Sequence, residues 1–371
     1  MKILFEAMGI RYGTGGETAT NNLLKALLQI DHSNYYLIIT TEKISWLDLQ
    51  GNNYEQKIVN IKNRFLRRLY AQLIIPFDFK DIDLYHFSKN LGVFSGLHPN
   101  LVTVYDVSML KFPDIMPKKD LLYWKIFQGI SLRSGDGIIT ISQAAANDIK
   151  DFYRIPADKI EVVYPGISAN SFPQSNEIIK SIRDKYRLPE SYILHVGRLD
   201  PLKNIPVLIK AFHILKTRDY YLGKLVLVGR VEEKQPDRII DLLINELNLQ
   251  NDIIVLGYIS EKDMPAIFSG ASVKVFPSLN EGFGFAALEA MACGTPVIAN
   301  DIEALREVIS CGGLLIKDID EKKIADAIIE ILRNKKYQEY LIKMGIERSN
   351  LFTSEKTANE MIKIYEKYAK K

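Results

Sequence analysis

The chain contains 371 residues, a length that predicts two domains, each large enough to bury its own core. The composition is that of an ordinary globular protein, and a formal net charge of +3 is too small to indicate a nucleic-acid-binding protein. Two cysteines exclude a disulfide framework and favour a reducing compartment. Glu6 interrupts the first apolar stretch, and no run reaches the roughly 18 apolar residues of a membrane span, so we expect a cytoplasmic protein.

The first forty residues predict a βαβ unit. Residues 2–8 form a buried strand, residues 17–29 carry leucines at helical spacing, and residues 36–40 form a second apolar strand. A glycine-rich turn over residues 9–16 joins the first strand to the helix. This order is typical of a parallel sheet.

The glycine turn raises the alternative of a dinucleotide cofactor. Gly13 and Gly15 match the start of the dinucleotide-binding fingerprint, but Thr18 stands where a third glycine or alanine is required. Glu42, near the end of the second strand, keeps a nicotinamide-dependent dehydrogenase as a remote alternative.

Two charged stretches in the first half each have two interpretations. Five cations and no acid lie between residues 57 and 68, ahead of an apolar run at residues 69–76. This stretch is either a solvated helix face, which we favour, or a membrane-surface helix. Asp81 and Asp83 have the spacing of a metal-binding pair, but they directly precede a strand at residues 84–87. Acids are common in such helix-to-strand loops, so we expect no metal there.

The alternation of strands and helices continues to residue 164 and then restarts. In the first half we predict strands at residues 101–105, 136–141 and 159–164 and helices at residues 120–132 and 143–152, the second capped by Ser142. Residues 165–175 are rich in turn formers and mark a domain boundary. We predict an N-terminal domain at residues 1–168, a second domain at residues 169–350 and a C-terminal helix at residues 351–371.

The second half repeats the pattern, with strands at residues 192–196, 224–228, 253–256, 273–278 and 297–299. The predicted fold class is therefore α/β, with two doubly wound Rossmann-like domains that face each other across a cleft. In such sheets ligands bind at the carboxyl ends of the strands. The loops at those ends are Gly13–Gly16, Tyr105–Asp106, Arg198–Lys203, Arg230, Tyr258–Ile259 and Asn280–Phe285.

Residues 273–300 carry the clearest signal of a ligand site. A strand enters the stretch, a loop with Gly282 and Gly284 interrupts it, and a short apolar helix follows at residues 285–292. The glycines allow close approach to a ligand, and the helix start offers unpaired N–H groups and a positive dipole end. Glu281 and Glu289 can accept hydrogen bonds from sugar hydroxyls; alternatively they are ion-pair or helix-dipole partners. The stretch predicts a site for a polyhydroxylated, phosphorylated ligand.

Two cations follow the strand at residues 192–196. Arg198 can bind phosphate oxygens through its fork, and Lys203 can act as a point charge. The alternative is a solvated loop with unrelated charges. His195 lies inside the strand, and we interpret it as a satisfied core histidine and not as a catalyst.

These motifs resemble retaining glycosyltransferase family 4. The resemblance rests on residues 195–204, His-Val-Gly-Arg-Leu-Asp-Pro-Leu-Lys-Asn, and on the Glu-x7-Glu pair formed by Glu281 and Glu289. It extends over nearly the whole chain, including residues 136–142 and 162–166. Residues 102–113 are most similar to mannosyltransferases of bacterial surface-polysaccharide assembly.

The resemblance implies a GT-B fold that binds a nucleotide-sugar mainly through its second domain. It implies that Arg198, Lys203 and Glu281 are the catalytic group, with both cations on the diphosphate, and that Glu289 holds the ribose hydroxyls. The other implied donor-binding residues are Gly15 and Gly16 over the diphosphate, Gly282, Phe283, Gly284 and Phe285 at the hexose and phosphate, and Arg230, Tyr258 and Ile259 beside the base. Such enzymes need no metal, so the only small-molecule partner expected is the nucleotide-sugar.

The sequence departs from the family at two positions. Tyr105 and Asp106 stand where the family commonly has His-Asp, and they are the implied acceptor-side residues. Phe285 and Ala286 replace the usual Leu-Pro, which keeps the backbone donors but alters one side of the sugar pocket.

We therefore predict a retaining hexosyltransferase of polysaccharide or glycoconjugate biosynthesis. The favoured donor is GDP-mannose, followed by UDP-glucose and UDP-N-acetylglucosamine, and the acceptor is a glycan or a lipid-linked sugar. A lipid-linked acceptor implies peripheral contact with the inner membrane face. The alternatives are a nucleotide-sugar epimerase or hydrolase of the same fold and a non-catalytic subunit that binds sugar nucleotides.

Overall fold

The structure is a computed structural model that describes residues 1–9, 15–48, 50–79, 81–94, 97–218, 220–229 and 238–370. The chain divides into two compact units. The first unit comprises Met1–Gly166 together with Ser354–Lys371, and the second comprises Ile167–Thr353.

A parallel sheet, seven-stranded over the described ranges, forms the centre of the first unit. Its strands are β1 (Lys2–Glu6), β2 (Tyr35–Thr40), β3 (Tyr54–Ile58), β4 (Leu84–Phe87), β5 (Asn100–Val104), β6 (Gly137–Thr140) and β7 (Ile160–Val162). The strand order is β3-β2-β1-β4-β5-β6-β7. Because the chain crosses from β3 to the other side of β1, the order reverses between β1 and β4. This switch point is where such sheets bind ligands.

Helices cover both faces of this sheet. They are α1 (Gly15–Ile30), α2 (Arg64–Leu73), α3 (Ile75–Asp78), α4 (Ser108–Lys111), α5 (Lys118–Ser134) and α6 (Gln143–Tyr153). Ile3 and Phe5 belong to the same apolar cluster as Leu24 of α1. Leu4 points to the opposite face, where it shares a cluster with Leu132 of α5. Burial on both faces is the reason that β1 is apolar at successive positions.

The cation-rich stretch is not a single helix. Lys57 lies in β3, and α2 begins only at Arg64, where the side chain of Asn63 accepts hydrogen bonds from two backbone N–H groups of the first turn. The predicted cap of α6 is confirmed, because Ser142 Oγ accepts a hydrogen bond of 3.0 Å from the backbone N–H of Ala145.

The second unit repeats this architecture with a parallel sheet, six-stranded within the part of the chain described. Its strands are β8 (Tyr192–Val196), β9 (Lys224–Val228), β10 (Ile253–Leu256), β11 (Val273–Phe276), β12 (Val297–Asn300) and β13 (Leu314–Ile316). The strand order is β10-β9-β8-β11-β12-β13, which places the switch point between β8 and β11.

The helices of the second unit pack against this sheet. They are α7 (Asn176–Tyr186), α8 (Ile205–Thr217), α9 (Arg238–Glu246), α10 (Met264–Ser269), α11 (Phe285–Ala292), α12 (Glu303–Ile309), α13 (Glu321–Arg333) and α14 (Lys335–Ser349). One apolar cluster joins Val273 and Val275 of β11 to residues of α8 and α13. Lys274, between them in sequence, therefore points to the opposite face.

The final helix, α15 (Ser354–Ala369), belongs to the first unit. The buried Tyr365 hydroxyl bonds to His86 Nδ1 at 2.7 Å, and Thr103 Oγ1 bonds to His86 Nε2 at 2.7 Å. Burial lowers the pKa of His86 to about 3, so the ring is neutral and needs one donor and one acceptor. The two hydroxyls meet that need and anchor α15 to the sheet. Among the described residues, no helix combines the length and apolar character needed to cross a bilayer.

Candidate active site

The switch point of the second unit brings two predicted loops together. β8 and β11 are neighbours in the sheet, so the loops that follow them leave the same edge side by side. The backbone N–H of Leu279, in the loop after β11, donates a 2.8 Å hydrogen bond to the carbonyl of Leu202, in the loop after β8. This backbone hydrogen bond therefore holds the two loops against each other.

An ion pair connects the predicted residues of these loops. Lys203 Nζ lies 2.5 Å from Glu281 Oε1, and both side chains are largely buried, with 16% and 12% of their surface exposed. Asp200 fixes the turn before Lys203 by accepting a hydrogen bond of 3.0 Å from the backbone N–H of Leu202. An ammonium carries three N–H donors, and Glu281 takes one of them. Lys203 can therefore hold Glu281 and also donate to an anionic ligand.

Arg198 lies in the same loop but is not enclosed. Its side chain is 53% exposed, and its guanidinium lies 3.1 Å from Asp200 Oδ2. The carboxylate holds one edge of the guanidinium near the site. Its contact with a diphosphate stays a prediction.

Packing fixes the loop that leads from Glu281 into α11. The Phe283 ring is buried and makes an edge contact with Phe352, with the ring centres 5.7 Å apart. Gly284 adopts a φ of 111°, and a Cβ at this position would lie 2.6 Å from Leu305 Cδ2. The turn into α11 therefore requires glycine. The Phe285 ring contacts Phe283 at 5.0 Å, so both predicted aromatic residues lie at the start of the helix.

Glu289 lies on α11 and is half-buried. Burial raises the pKa of its carboxyl to about 7. The positive charge of Lys274 opposes this rise, and the negative charge of Glu261 adds to it. A carboxylate with this pKa changes its charge near neutral pH, which is common at functional sites.

Lys274 is a buried basic residue of the strand that enters the site loop, and we did not predict it. It is fully buried in the central strand β11, and its Nζ lies 4.0 Å from the centre of the Phe276 ring. The available signal was a single lysine inside an otherwise apolar strand that enters the site loop.

His195 is buried as predicted, and its Nδ1 lies 3.2 Å from the Val275 carbonyl. Its Nε2 has no hydrogen-bond partner among the described residues, so His195 is a core histidine, as predicted, but not a satisfied one.

The predicted base-side residues are only partly described. Tyr258 is 48% exposed after β10, whereas Ile259 is buried. Arg230 lies outside the described residues. Just before it, Gly229 has a φ of 154°, and a Cβ there would lie 1.8 Å from the Gly197 carbonyl oxygen. The ends of β8 and β9 thus approach too closely for any residue but glycine.

In the first unit, the start of α1 is packed against the end of β5. Gly15 is exposed at the first position of α1, and a Cβ on Gly16 would lie 3.2 Å from the Tyr105 ring. The Tyr105 hydroxyl lies 2.5 Å from Thr20 Oγ1, which donates a 2.9 Å hydrogen bond to the Gly16 carbonyl. Burial raises the pKa of Tyr105 to about 12, so it stays a phenol. A small cavity of about 30 Å³ lies beside Tyr105 and Thr20.

The acids of this unit have local partners. Asp106 accepts hydrogen bonds from the backbone N–H and the hydroxyl of Ser108, at 2.9 and 2.6 Å, and so fixes the turn into α4. Asp83 accepts a 2.6 Å hydrogen bond from the backbone N–H of Lys2, the loop role that we expected. Over the described ranges, no group of three or more His, Cys, Asp or Glu side chains has the arrangement of a metal site.

A second charged cluster, also not predicted, lies at the switch point of the first unit. Lys89 follows β4, lies 3.6 Å from Glu17 of α1 and donates to the Gly9 carbonyl. Glu6, at the end of β1, accepts a 2.7 Å hydrogen bond from the backbone N–H of Met8. Burial raises the pKa of Glu6 to about 7, and the positive charge of Lys89 opposes the rise.

Comparison with known proteins assigns both halves of the chain. Residues 14–171 match Glycosyltransferase Family 4, and residues 179–348 match Glycosyl transferases group 1. The chain is 26% identical to O-antigen chain mannosyltransferase B of Escherichia coli, over 98% of this chain and 99% of that protein. It is 29% identical to O-antigen chain mannosyltransferase RfbU of Salmonella typhimurium, over 63% of this chain and 61% of that protein. It is 30% identical to the serotype-specific mannosyltransferase WbdA of Escherichia coli, over 60% of this chain but only 28% of that protein.

Solved structures share the fold. Sucrose-phosphate synthase of Thermosynechococcus elongatus has a TM-score of 0.77 at 21% identity, covering 99% of this chain and 98% of that one. HepE of Anabaena, solved with UDP-glucose, has a TM-score of 0.77 at 19% identity, covering 99% and 100%. Both the matches and the architecture of two parallel sheets lead to one assignment. The chain belongs to the family 4 glycosyltransferases and has their GT-B fold.

Proposed function

We propose that this enzyme transfers mannose from GDP-mannose to a glycan acceptor with retention of the anomeric configuration. The observation that carries the proposal is the Lys203–Glu281 ion pair at the switch point between β8 and β11, because it presents a cation and a carboxylate at the edge where such sheets bind nucleotides. The mannosyltransferase relatives support mannose as the transferred sugar.

Two features of this edge suit a diphosphate. The two N–H donors of Lys203 that Glu281 does not take would bind phosphate oxygens, and Arg198 would add its exposed fork. The first turn of α11 offers backbone N–H groups and the positive end of the helix dipole. Glu281 would then accept from the hexose hydroxyls, and Glu289 from the two ribose hydroxyls.

In the chemical step, the bond from the sugar C1 to the diphosphate oxygen breaks, and a bond from C1 to the acceptor oxygen forms on the same face. The departing phosphate takes the proton of the acceptor hydroxyl, so the step needs no side-chain base. Lys203 and Arg198 would stabilise the negative charge that develops on the leaving diphosphate.

Replacement of Lys203 tests this assignment. We expect Lys203→Ala to lower kcat/KM for GDP-mannose by at least about 100-fold, since it removes a charged contact to the leaving group and leaves Glu281 without its partner. The matched control is Lys216→Ala, which breaks a 2.7 Å ion pair with Asp252 at the far end of α8. Activity is measured as release of GDP in the presence of acceptor, and folding by thermal denaturation. Equal activity of the two folded variants would refute the role of Lys203.

We also propose that α2 contacts an anionic membrane surface, as a lipid-linked acceptor would require. Phe65, Leu66 and Leu73 of α2 are exposed apolar side chains, and α2 has no acid in its first turn. Arg68 of α2 packs over the Tyr123 ring of α5 at 4.5 Å, so the two helices present one surface. Exposed apolar residues interspersed with arginines support the membrane alternative over the solvated face that the sequence favoured.

A further inference from the structure

The switch point of the first unit carries an ion pair outside the proposed donor site. Glu17 lies in the first turn of α1, which follows β1, and Lys89 follows β4, so the pair flanks the point where the strand order reverses. The side chains of Lys89 and Glu17 are 29% and 9% exposed. Doubly wound sheets bind ligands at such a point. A transferase has two substrates, and with the donor assigned to the second unit, the acceptor is the ligand expected here.

The spacing of the pair suits a hydroxyl group. Lys89 Nζ lies 3.6 Å from Glu17 Oε1, which is too long for a direct hydrogen bond. One hydroxyl that contacts both groups can accept from Lys89 and donate to Glu17. The Gly9 carbonyl accepts one N–H group of Lys89. Burial lowers the pKa of Lys89, and the negative charges of Glu17 and Glu6 oppose this; with or without the extra proton, Lys89 keeps an N–H group for a ligand.

A chain of hydrogen bonds fixes the turn of α1 that carries Glu17. The hydroxyl of Thr20 donates its one proton to the Gly16 carbonyl at 2.9 Å. The hydroxyl of Tyr105, 2.5 Å from Thr20 Oγ1, is therefore the donor in that contact. The side chain of Asn90, in the loop after β4, accepts a 2.9 Å hydrogen bond from the backbone N–H of Tyr105. The ends of β4 and β5 are thus tied to the start of α1, and the hydroxyl proton of Tyr105 is committed to Thr20.

Two residues beside Lys89 are held at a cost in stability. Asn90 has a φ of 55°, a left-handed conformation that is uncommon outside glycine and often occurs at functional sites. Ser88 lines the small cavity beside Tyr105, and its hydroxyl is buried without a hydrogen-bond partner among the described residues. A buried polar group without a partner is unfavourable. Both features are more typical of a ligand site than of a plain connection.

We propose that Lys89 and Glu17 bind one hydroxyl of the sugar acceptor, which accepts a hydrogen bond from Lys89 and donates one to Glu17. Tyr105 is then a positioning residue, which acts through Thr20 on the turn that carries Glu17. This inference rests on the proposed function. It replaces the direct acceptor contact that the family resemblance implies for Tyr105.

The test of the pair is Lys89→Met, which keeps the length of the side chain without its N–H groups, together with Glu17→Gln. Transfer from saturating GDP-mannose is measured against the concentration of the mannose oligosaccharide that wild type uses best, and donor affinity by calorimetry without acceptor. The acceptor KM should rise at least about tenfold in Lys89→Met and about threefold or more in Glu17→Gln, with Kd for GDP-mannose within about twofold of wild type. The matched control is Lys159→Met, at a lysine that donates to two backbone carbonyls at the opposite edge of the sheet, before β7. It should keep both values.

A wild-type acceptor KM in both variants, or an equal loss of donor affinity, would overturn the proposal. If Lys89→Met does not fold, Glu17→Gln, which preserves the shape of the side chain, decides alone. Failure of the proposed function gives a different result, because wild type would then transfer mannose to no member of a panel of mannose oligosaccharides, and this inference would fail with it.

Tyr105→Phe and Thr20→Val test the positioning role. Each breaks the same chain of hydrogen bonds, so each should raise the acceptor KM about threefold or more, and the double variant no further. Thr20→Ser, which retains the hydroxyl, should keep the wild-type KM. So should Tyr85→Phe, which removes a 2.5 Å hydrogen bond from a buried tyrosine to the Phe79 carbonyl. A rise in Tyr105→Phe that Thr20→Val does not share would show a direct acceptor contact and refute the positioning role.

Discussion

The backbone conformation of Gly284 determines the turn from the site loop into α11. Because its φ is 111° and a Cβ there would lie 2.6 Å from Leu305 Cδ2, Gly284→Ala combines backbone strain with a collision. We expect a loss of about 1–3 kcal/mol in the free energy of unfolding and weaker donor binding, because the first turn of α11 must shift. Gly257→Ala is the matched control, since nothing lies within 4 Å of a Cβ there and its φ is not left-handed. Chemical denaturation that gave both variants equal stability would contradict this account of the turn.

Sequence reasoning at the residue scale found the charged groups but not all of their partners. Lys203 and Glu281 were both predicted from their loops, yet their 2.5 Å contact joins residues that are 78 positions apart, which no local pattern reveals. Lys274 was missed because a single lysine in an apolar strand can be either exposed or buried, and the sequence does not distinguish the two. The structure shows that it is buried. The roles assigned to Tyr258, Ile259 and the glycines of the first unit stay predictions.

At the scale of elements, buried strands were the most predictable part of the chain. The bounds of β4, β8, β9 and β10 were predicted to the residue, because each is a short apolar run between turn residues. β3 and α7 were not predicted. β3 is an edge strand with charged side chains, and the helix residues of α7 include none that is buried. A helix or strand with few buried residues has only a weak periodic pattern of apolar residues in the sequence.

The exposed apolar side chains of α2 lead to a testable prediction about membrane binding by the first unit. Phe65→Ser combined with Leu73→Ser should lower binding to vesicles that contain phosphatidylglycerol by about tenfold or more, because two exposed apolar side chains are lost from the contact. Phe152→Ser, at an exposed phenylalanine on α6 of the same unit, should bind as wild type does. Cosedimentation is the measurement, with phosphatidylcholine vesicles as the uncharged reference. Unchanged binding by the α2 variant would refute the contact.

For the whole molecule, two units of the same architecture each present a switch point with buried charges. In the second unit, Lys203 and Glu281 follow β8 and β11, Lys274 lies inside β11, and Glu289 lies on α11. In the first unit, Glu6, Glu17 and Lys89 lie around the ends of β1 and β4. The rule that ligands bind at the carboxyl ends of the strands was the basis on which the candidate loops were chosen from the sequence. It could not select the sugar, because the direction of the strands is independent of the side chains that would contact a hexose.

The stereochemistry of the product tests the central claim most directly. Wild-type enzyme is incubated with GDP-α-mannose and a panel of oligosaccharide acceptors, and the anomeric configuration of the product is followed by proton NMR. We predict an α-mannosidic product, formed only when acceptor is present. A β-linked product would contradict retention, and free or isomerised sugar released rapidly without acceptor would indicate a hydrolase or an epimerase in place of a transferase.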